Sequence, residues 1–291
     1  MASGRKVSVT PHAMAELLVV PKTPCILFAS SAEQPAPYSL ARALALADHH
    51  AIRLQVLRVL PRQSLVAAMV APFLQNDDMG QVTRFLGDAN ASSRWYATVL
   101  GARFNEDHVL LSIGGFAEEV ATQARAVRAI MIVVPAGEWS GSAITGLACR
   151  ARLPVLVVRE VDGARSVIAA TDLGVDRISI LEQALELGQH LNAGVVAMHN
   201  ISPSMWGDAA RNDGALSAIA IGSSVRTSVI TRRSNHAEGI LGEARMREAD
   251  TVVVGTHARS GMASAVRRSV AAQVVDGALR SVLVVPVDLL L

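Results

Sequence analysis

Val252 to Gly261 read VVVGTHARSG: an apolar run stops at Gly255 and gives way to a polar stretch holding His257, Arg259 and Gly261. A junction of this kind suits anion binding. The glycine lets the following amides turn towards a ligand, and a helix starting just beyond offers unpaired N–H groups to a phosphate. Ser269, followed by Val270, stands where that helix is expected to begin. Two more apolar runs end in polar residues, AATD at Asp172 and AMHN at His199 and Asn200. Doubly wound sheets bind ligands beyond the carboxyl ends of their strands, so all three exits are expected to converge.

Each residue also has a plainer role. Asp172 can cap the helix of LGVDRISILEQ. His199 reads better as a strand-end histidine with a satisfied ring than as a base. His257 lies in the loop itself, where it can meet an anion. Arg259 can reach a phosphate or sit in solvent, and Ser269 is equally explained as a helix cap. No catalytic set emerges. The chain lacks the G-x-S-x-G elbow, the G-x-G-x-x-G fingerprint and the G-x-x-x-x-G-K-[ST] loop, and its two cysteines show no metal-type spacing. Glu118-Glu119 and the stretch from Glu243 to Glu248 read as exposed helix faces.

The elements that must position these residues occur twice. CILFASSAEQPAPYSLARALALADHH (Cys25 to His50) lies over SVIAATDLGVDRISILEQALELGQHL (Ser166 to Leu191) at a shift of 141. AEEVATQARAVRAIMIVVPAGEWSG (Ala117 to Gly141) lies over AEGILGEARMREADTVVVGTHARSG (Ala237 to Gly261) at a shift of 120, and LPVLVV resembles SVLVVP. Each copy reads strand, helix, strand, variable segment, strand, helix, strand, helix, strand. That alternation predicts right-handed βαβ crossovers and two α/β sandwiches, each with a mainly parallel sheet of five strands and helices on both faces. The expected division is an extension at 1–22, a first domain at 23–160 and a second at 165–291, meeting near EVDGARS. The variable segments are Arg62 to Asp107 and Ser204 to Ser224, where SLVAAMVAPFL and QVTRFLGDANASSRWYATVLG are expected to be helical.

Composition agrees. Hydrophobic residues make up 51% and charged residues 18%, which excludes a disordered chain and supplies buried parallel strands. A formal charge of +2 gives no nucleic-acid footprint, and Arg232-Arg233 and Arg267-Arg268 read as solvated helix or loop surface. No apolar run is long enough to span a membrane, and no signal peptide is evident. A cytoplasmic protein with Cys25 and Cys149 reduced and buried is expected.

The order ATD…VVAMHN…VVVGTHARSG…RRSVAAQVVDGALRSVLVVP resembles the universal stress protein family in its tandem form. The likeness runs from about Val167 to Val287, and in outline from Pro24 to Val158. It implies an adenine-nucleotide-hydrolase-like, Rossmann-like fold. Nucleotide-binding members carry a glycine, two residues, a glycine, nine residues, then glycine and serine or threonine. Carried over, Gly255 and Ser269 match, Gly261 fits the loop, and Ala258 and Arg268 depart. Ala258 is disfavoured if that backbone needs positive φ. Arg268 fills space glycine leaves open, yet could itself pair with a phosphate. The resemblance further implies Asp172 on the ribose side and the backbone of His199-Asn200 at the base.

The first copy departs further. Ser31 stands where Asp172 stands and Pro135 where Gly255 stands, and a seven-residue deficit after Gly141 is expected to remove the glycine-serine end. The resemblance implies a ligand- or partner-binding stress protein, with an altered adenine-nucleotide site in the second domain taking ATP with Mg²⁺ if any nucleotide. Alternatives are a non-nucleotide dimerisation and interaction module or, less favoured, a slow ATPase. The family's mode of association implies a homodimer or an intramolecular pseudo-dimer through the last strands, LPVLVVRE with RSVLVVPVD, with PVDLLL covering a neighbouring surface.

Overall fold

A computed structural model of the chain describes residues 23–31, 35–60, 94–101, 109–160, 166–171, 177–201, 227–233, 235–257 and 269–287. In the first half β1 (Cys25–Ser30) is followed by α1 (Pro37–His49), β2 (Arg53–Leu60), β3 (Val109–Ile113), α2 (Phe116–Ala126), β4 (Ala129–Pro135), α3 (Gly141–Ala151) and β5 (Val155–Val158). The second half repeats that order with β6 (Ser166–Thr171), α4 (Arg177–Leu191), β7 (Gly194–Ile201), β8 (Thr227–Arg233), α5 (His236–Met246), β9 (Ala249–His257), α6 (Val270–Gly277) and β10 (Ser281–Val287). The expected α/β alternation is therefore found in both copies. Residues 94–100 are helical, within the segment expected to be so. SLVAAMVAPFL, the second variable segment, the stretch at 1–22 and the end of PVDLLL lie outside the described residues.

One ten-stranded sheet runs β3-β2-β1-β4-β5-β10-β9-β6-β7-β8. All pairs within a half are parallel, and β5 and β10 join the halves antiparallel, with Val282 opposite Val157 and Val284 opposite Val155. The repeat extends to irregularities. The β1–β4 register shifts after Cys25, and the β6–β9 register shifts after Ser166, the same place in each copy. Left-handed residues follow the same helices in both copies, Ala51 and Asn192 after the first, Arg128 and Glu248 after the second.

Strand alternation sends side chains to two apolar layers. One face packs Leu27, Leu57, Ile132 and Val254 against α2, α3, α5 and α6; the other packs Phe28, Val56, Val133 and Val253 against α1 and α4. Both layers draw on both halves, so the molecule is a three-layer sandwich with cores continuous across the junction.

Polar contacts reinforce the junction. The buried Asp250 of β9 takes Arg42 of α1 at 2.5 Å. Arg159 reaches the Val275 and Arg280 carbonyls at 2.8 and 3.3 Å, where a cation suits the carbonyl end of α6. Gly141, at the start of α3, lies so close to α6 that a Cβ there would stand 2.0 Å from the Ala272 carbonyl oxygen.

Three expectations are corrected. Cys149 is half-buried; only Cys25 is fully enclosed, where burial raises its thiol to about 11 despite the opposing pull of Arg53. Glu243 is buried rather than exposed because its carboxylate turns back to Arg247 one helical turn on. Arg232-Arg233 end β8, the last strand in the sheet order, rather than lying in helix or loop.

Candidate functional site

In each half the first strand leads to its second and third strands on one side and to its fourth and fifth on the other. Ligands are expected at that reversal, beside β6 and β9 in the second half and beside β1 and β4 in the first.

In the second half the strand exits do come together. Thr171 registers with His199, and Ala170 with Val254, one residue before Gly255. His199 is buried, and its Nδ1 lies 2.9 Å from the Thr171 carbonyl oxygen. A carbonyl only accepts, so Nδ1 carries the proton and Nε2 keeps its lone pair in the neutral ring. Nδ1 is thus satisfied by the neighbouring strand end. Asn200 registers with Arg232 on β8, and His257 ends β9 beside Val287.

Gly255 has a packing reason of its own. A methyl there would meet Ile180 Cδ1 of α4 at 2.8 Å and Val287 Cγ2 at 3.0 Å. Ser269 is the N-cap of α6, its Oγ accepting from the Ala272 N–H at 3.1 Å, and Val270 is an exposed first-turn residue. The cap leaves the Ser269 hydroxyl proton able to donate elsewhere. Asp172, Ala258, Arg259, Gly261 and Arg268 lie outside the described residues.

The first half is built differently at the same place. Pro135 ends β4, Gly137 adopts φ +87°, and Trp139 stacks on Phe116 with ring centroids 3.8 Å apart. Between them Glu138 turns back across the reversal onto the end of β1. Its Oε1 accepts from Ser30 Oγ at 2.7 Å, and its Oε2 accepts from Ser31 N at 2.8 Å and Ser31 Oγ at 3.0 Å. A second carboxylate serves the next helix, Asp276 of α6 accepting the Gly141 N–H at the start of α3 at 2.6 Å. The positions that attract anions are both satisfied from within the chain.

This half also corrects the expected loss of a glycine-serine end. Ser140 caps α3 as Ser269 caps α6, accepting from the Ala143 N–H at 3.3 Å. The deficit falls instead ahead of the cap: residues 136–139 separate β4 from Ser140, where 258–268 separate β9 from Ser269. Glu138 went unnoticed in the sequence; an acid in PAGEWS with two serines ending the first strand was the available signal.

A second feature was also missed. His49 of α1 and His190 of α4 occupy the same position in the two copies and meet with ring centroids 4.7 Å apart; His50 adjoins His49 at 5.3 Å and lies 3.6 Å from Glu186. Burial, then Arg42, His49 and His50, lower His190 to about 4, against the pull of Asp250. Among the described residues no group of three or more His, Cys, Asp or Glu is arranged to hold a metal ion, and no helix is long and apolar enough to cross a membrane.

Comparison with known proteins agrees with this architecture. Residues 163–286 match the model of the Universal stress protein family. No curated protein matches the chain. A universal stress protein from Archaeoglobus fulgidus superposes with a TM-score of 0.68 at 14% identity, covering 90% of this chain and 96% of its own. A functionally unknown protein from Pseudomonas aeruginosa does so with a TM-score of 0.59 at 16% identity, covering 91% and 93%. At such identities the superpositions speak for the fold, and they cover both halves. The second half of this chain, residues 163–286, is a universal stress protein domain.

Proposed function

We propose that the protein is a tandem universal stress protein acting by ligand binding rather than turnover, with one adenine-nucleotide site in its second domain. The domains run from 23 to 160 and from 165 to 291. The observation that carries this reading is the convergence of three strand exits within the family-matched segment: Thr171, His199 and Gly255–His257, with the capped start of α6 following in sequence. Asp172 follows Thr171 directly and takes the ribose. The backbone of His199 and Asn200 faces the base. His257, Arg259, Gly261, Arg268, Ser269 and Val270 surround the phosphates, and Mg²⁺ accompanies a triphosphate. The first domain takes no part, because its equivalent crevice already holds Glu138. The chain works in the cytoplasm.

Isothermal titration of the nucleotide-stripped protein with ATP and Mg²⁺, with ADP and AMP alongside, tests this. Micromolar binding at one site per chain is expected, abolished by Asp172→Ala in a protein that still folds. Absence of heat at high protein concentration would overturn the nucleotide reading in favour of an interaction module. In that case Ala258→Gly with Arg268→Gly should create binding.

A further inference from the structure

Glu138 does in the first half what a bound acid would do. Two hydroxyls and one backbone N–H converge on its two oxygens, and all three donors belong to the consecutive residues Ser30 and Ser31 at the exit of β1. A carboxylate has four lone-pair positions to offer, and here both oxygens are engaged in an arrangement any small carboxylate could reproduce. The loop that delivers the side chain is prepared for it. Gly137 supplies the left-handed turn, and Trp139 fixes the far side on Phe116. The surroundings suit an anion as well. Ser30 and Arg58 are buried, and strand alternation puts them on the sheet face covered by α1 and the helical segment at 94–100. Tyr96 of that segment is completely enclosed, burial pushes its phenol well above the usual range with Arg58 opposing and Glu138 adding, and its hydroxyl has no hydrogen-bond partner among the described residues.

We infer that the first half contains a carboxylate-binding site occupied in cis by Glu138, and that a small free carboxylate, formate or acetate, enters it once that side chain is removed. The first half is thereby held in a permanently liganded form. This stands apart from the nucleotide reading, since it concerns the other half and other residues.

Thermal melts of the full chain, wild type against Glu138→Ala and Glu138→Gln, test it in sodium formate and sodium chloride at equal ionic strength. Glu138→Ala should melt below wild type in chloride. Formate at ten times its dissociation constant should then raise the variant's melting temperature by about 3 °C. Wild type and Glu138→Gln, whose crevices are filled, should show no difference between the two salts. Adding Ser30→Ala and Ser31→Ala to Glu138→Ala should remove most of the response. An equal response in all variants, or none in Glu138→Ala, overturns the assignment. If Glu138→Ala gives no cooperative melt, its recovery from urea becomes the readout: recovery in formate but not chloride supports the site, and recovery in neither overturns it.

Discussion

His190 shows how one side chain can tie stability to acidity. Folding buries it and sets it beside Arg42, His49 and His50, which outweigh Asp250 and hold its pKa at about 4; the other acid in this cluster, Glu186, pairs with His50. Its ordinary value is 6.5, so as pH falls the unfolded chain takes up this proton first. The resulting stability is full above about pH 6.5 and declines towards pH 4. Urea unfolding across that range should show the decline, and His190→Gln should flatten it. Ala51 offers the opposite case. It holds φ +52° after α1, where a Cβ costs about 1–2 kcal/mol and glycine costs less despite its greater freedom when unfolded. Ala51→Gly should raise the unfolding free energy by about 0.5 kcal/mol, measurable as a shift in urea midpoint. At this scale the sequence was only partly readable. His199 and Ser269 were recognisable because strand ends and helix starts impose local rules. The meeting of His49 with His190 and of Glu138 with Ser30 and Ser31 depends on residues more than a hundred positions apart, and no local pattern registers such a pairing.

Among the elements, α3 and α6 cross at backbone contact. Gly141 touches the backbone of α6 at Ala272, and its N–H is held by Asp276, so neither helix can retreat without breaking that bond. Gly141→Ala should therefore destabilise the protein by about 3 kcal/mol, near the upper end of what an overpacked site costs. Gly255→Ala should be milder, because its neighbours are the ends of the Ile180 and Val287 side chains, which can rotate away. Circular dichroism of both variants in denaturant would rank them, and equal losses would contradict this account. Strands and helices were legible because each copy supplies the other's pattern: LARALALADHH against LEQALELGQHL fixes the helical stripe twice over. The length difference was harder. A deficit counted along the chain cannot say which side of a helix start absorbed it, and the capping of α3 by Ser140 places it ahead of that helix.

For the whole molecule, the pairing of β5 with β10 decides how the chain assembles. Both last strands are consumed within one chain, and both apolar layers cross the junction. A fragment of residues 165–291 would expose the edge of β10 along with the surfaces of α4 and α6 that α1 and α3 cover. Such a fragment should self-associate, with light scattering on a sizing column giving twice the fragment mass, while the full chain should not use this edge. The pairing of the last strands is the one implied by the resemblance to the family; the sequence itself supplied only the two VLVV runs that mark where those strands lie.

The antiparallel junction also settles where each half looks. Strands run parallel within a half and reverse between β5 and β10, so the carboxyl ends of the two sets of strands lie on opposite rims of the sheet. Two identical chains joined this way would have to show the same chemistry on both rims. A single chain is released from that constraint. One rim can be sealed by its own acid, while substitutions accumulate on the other without ever being copied back.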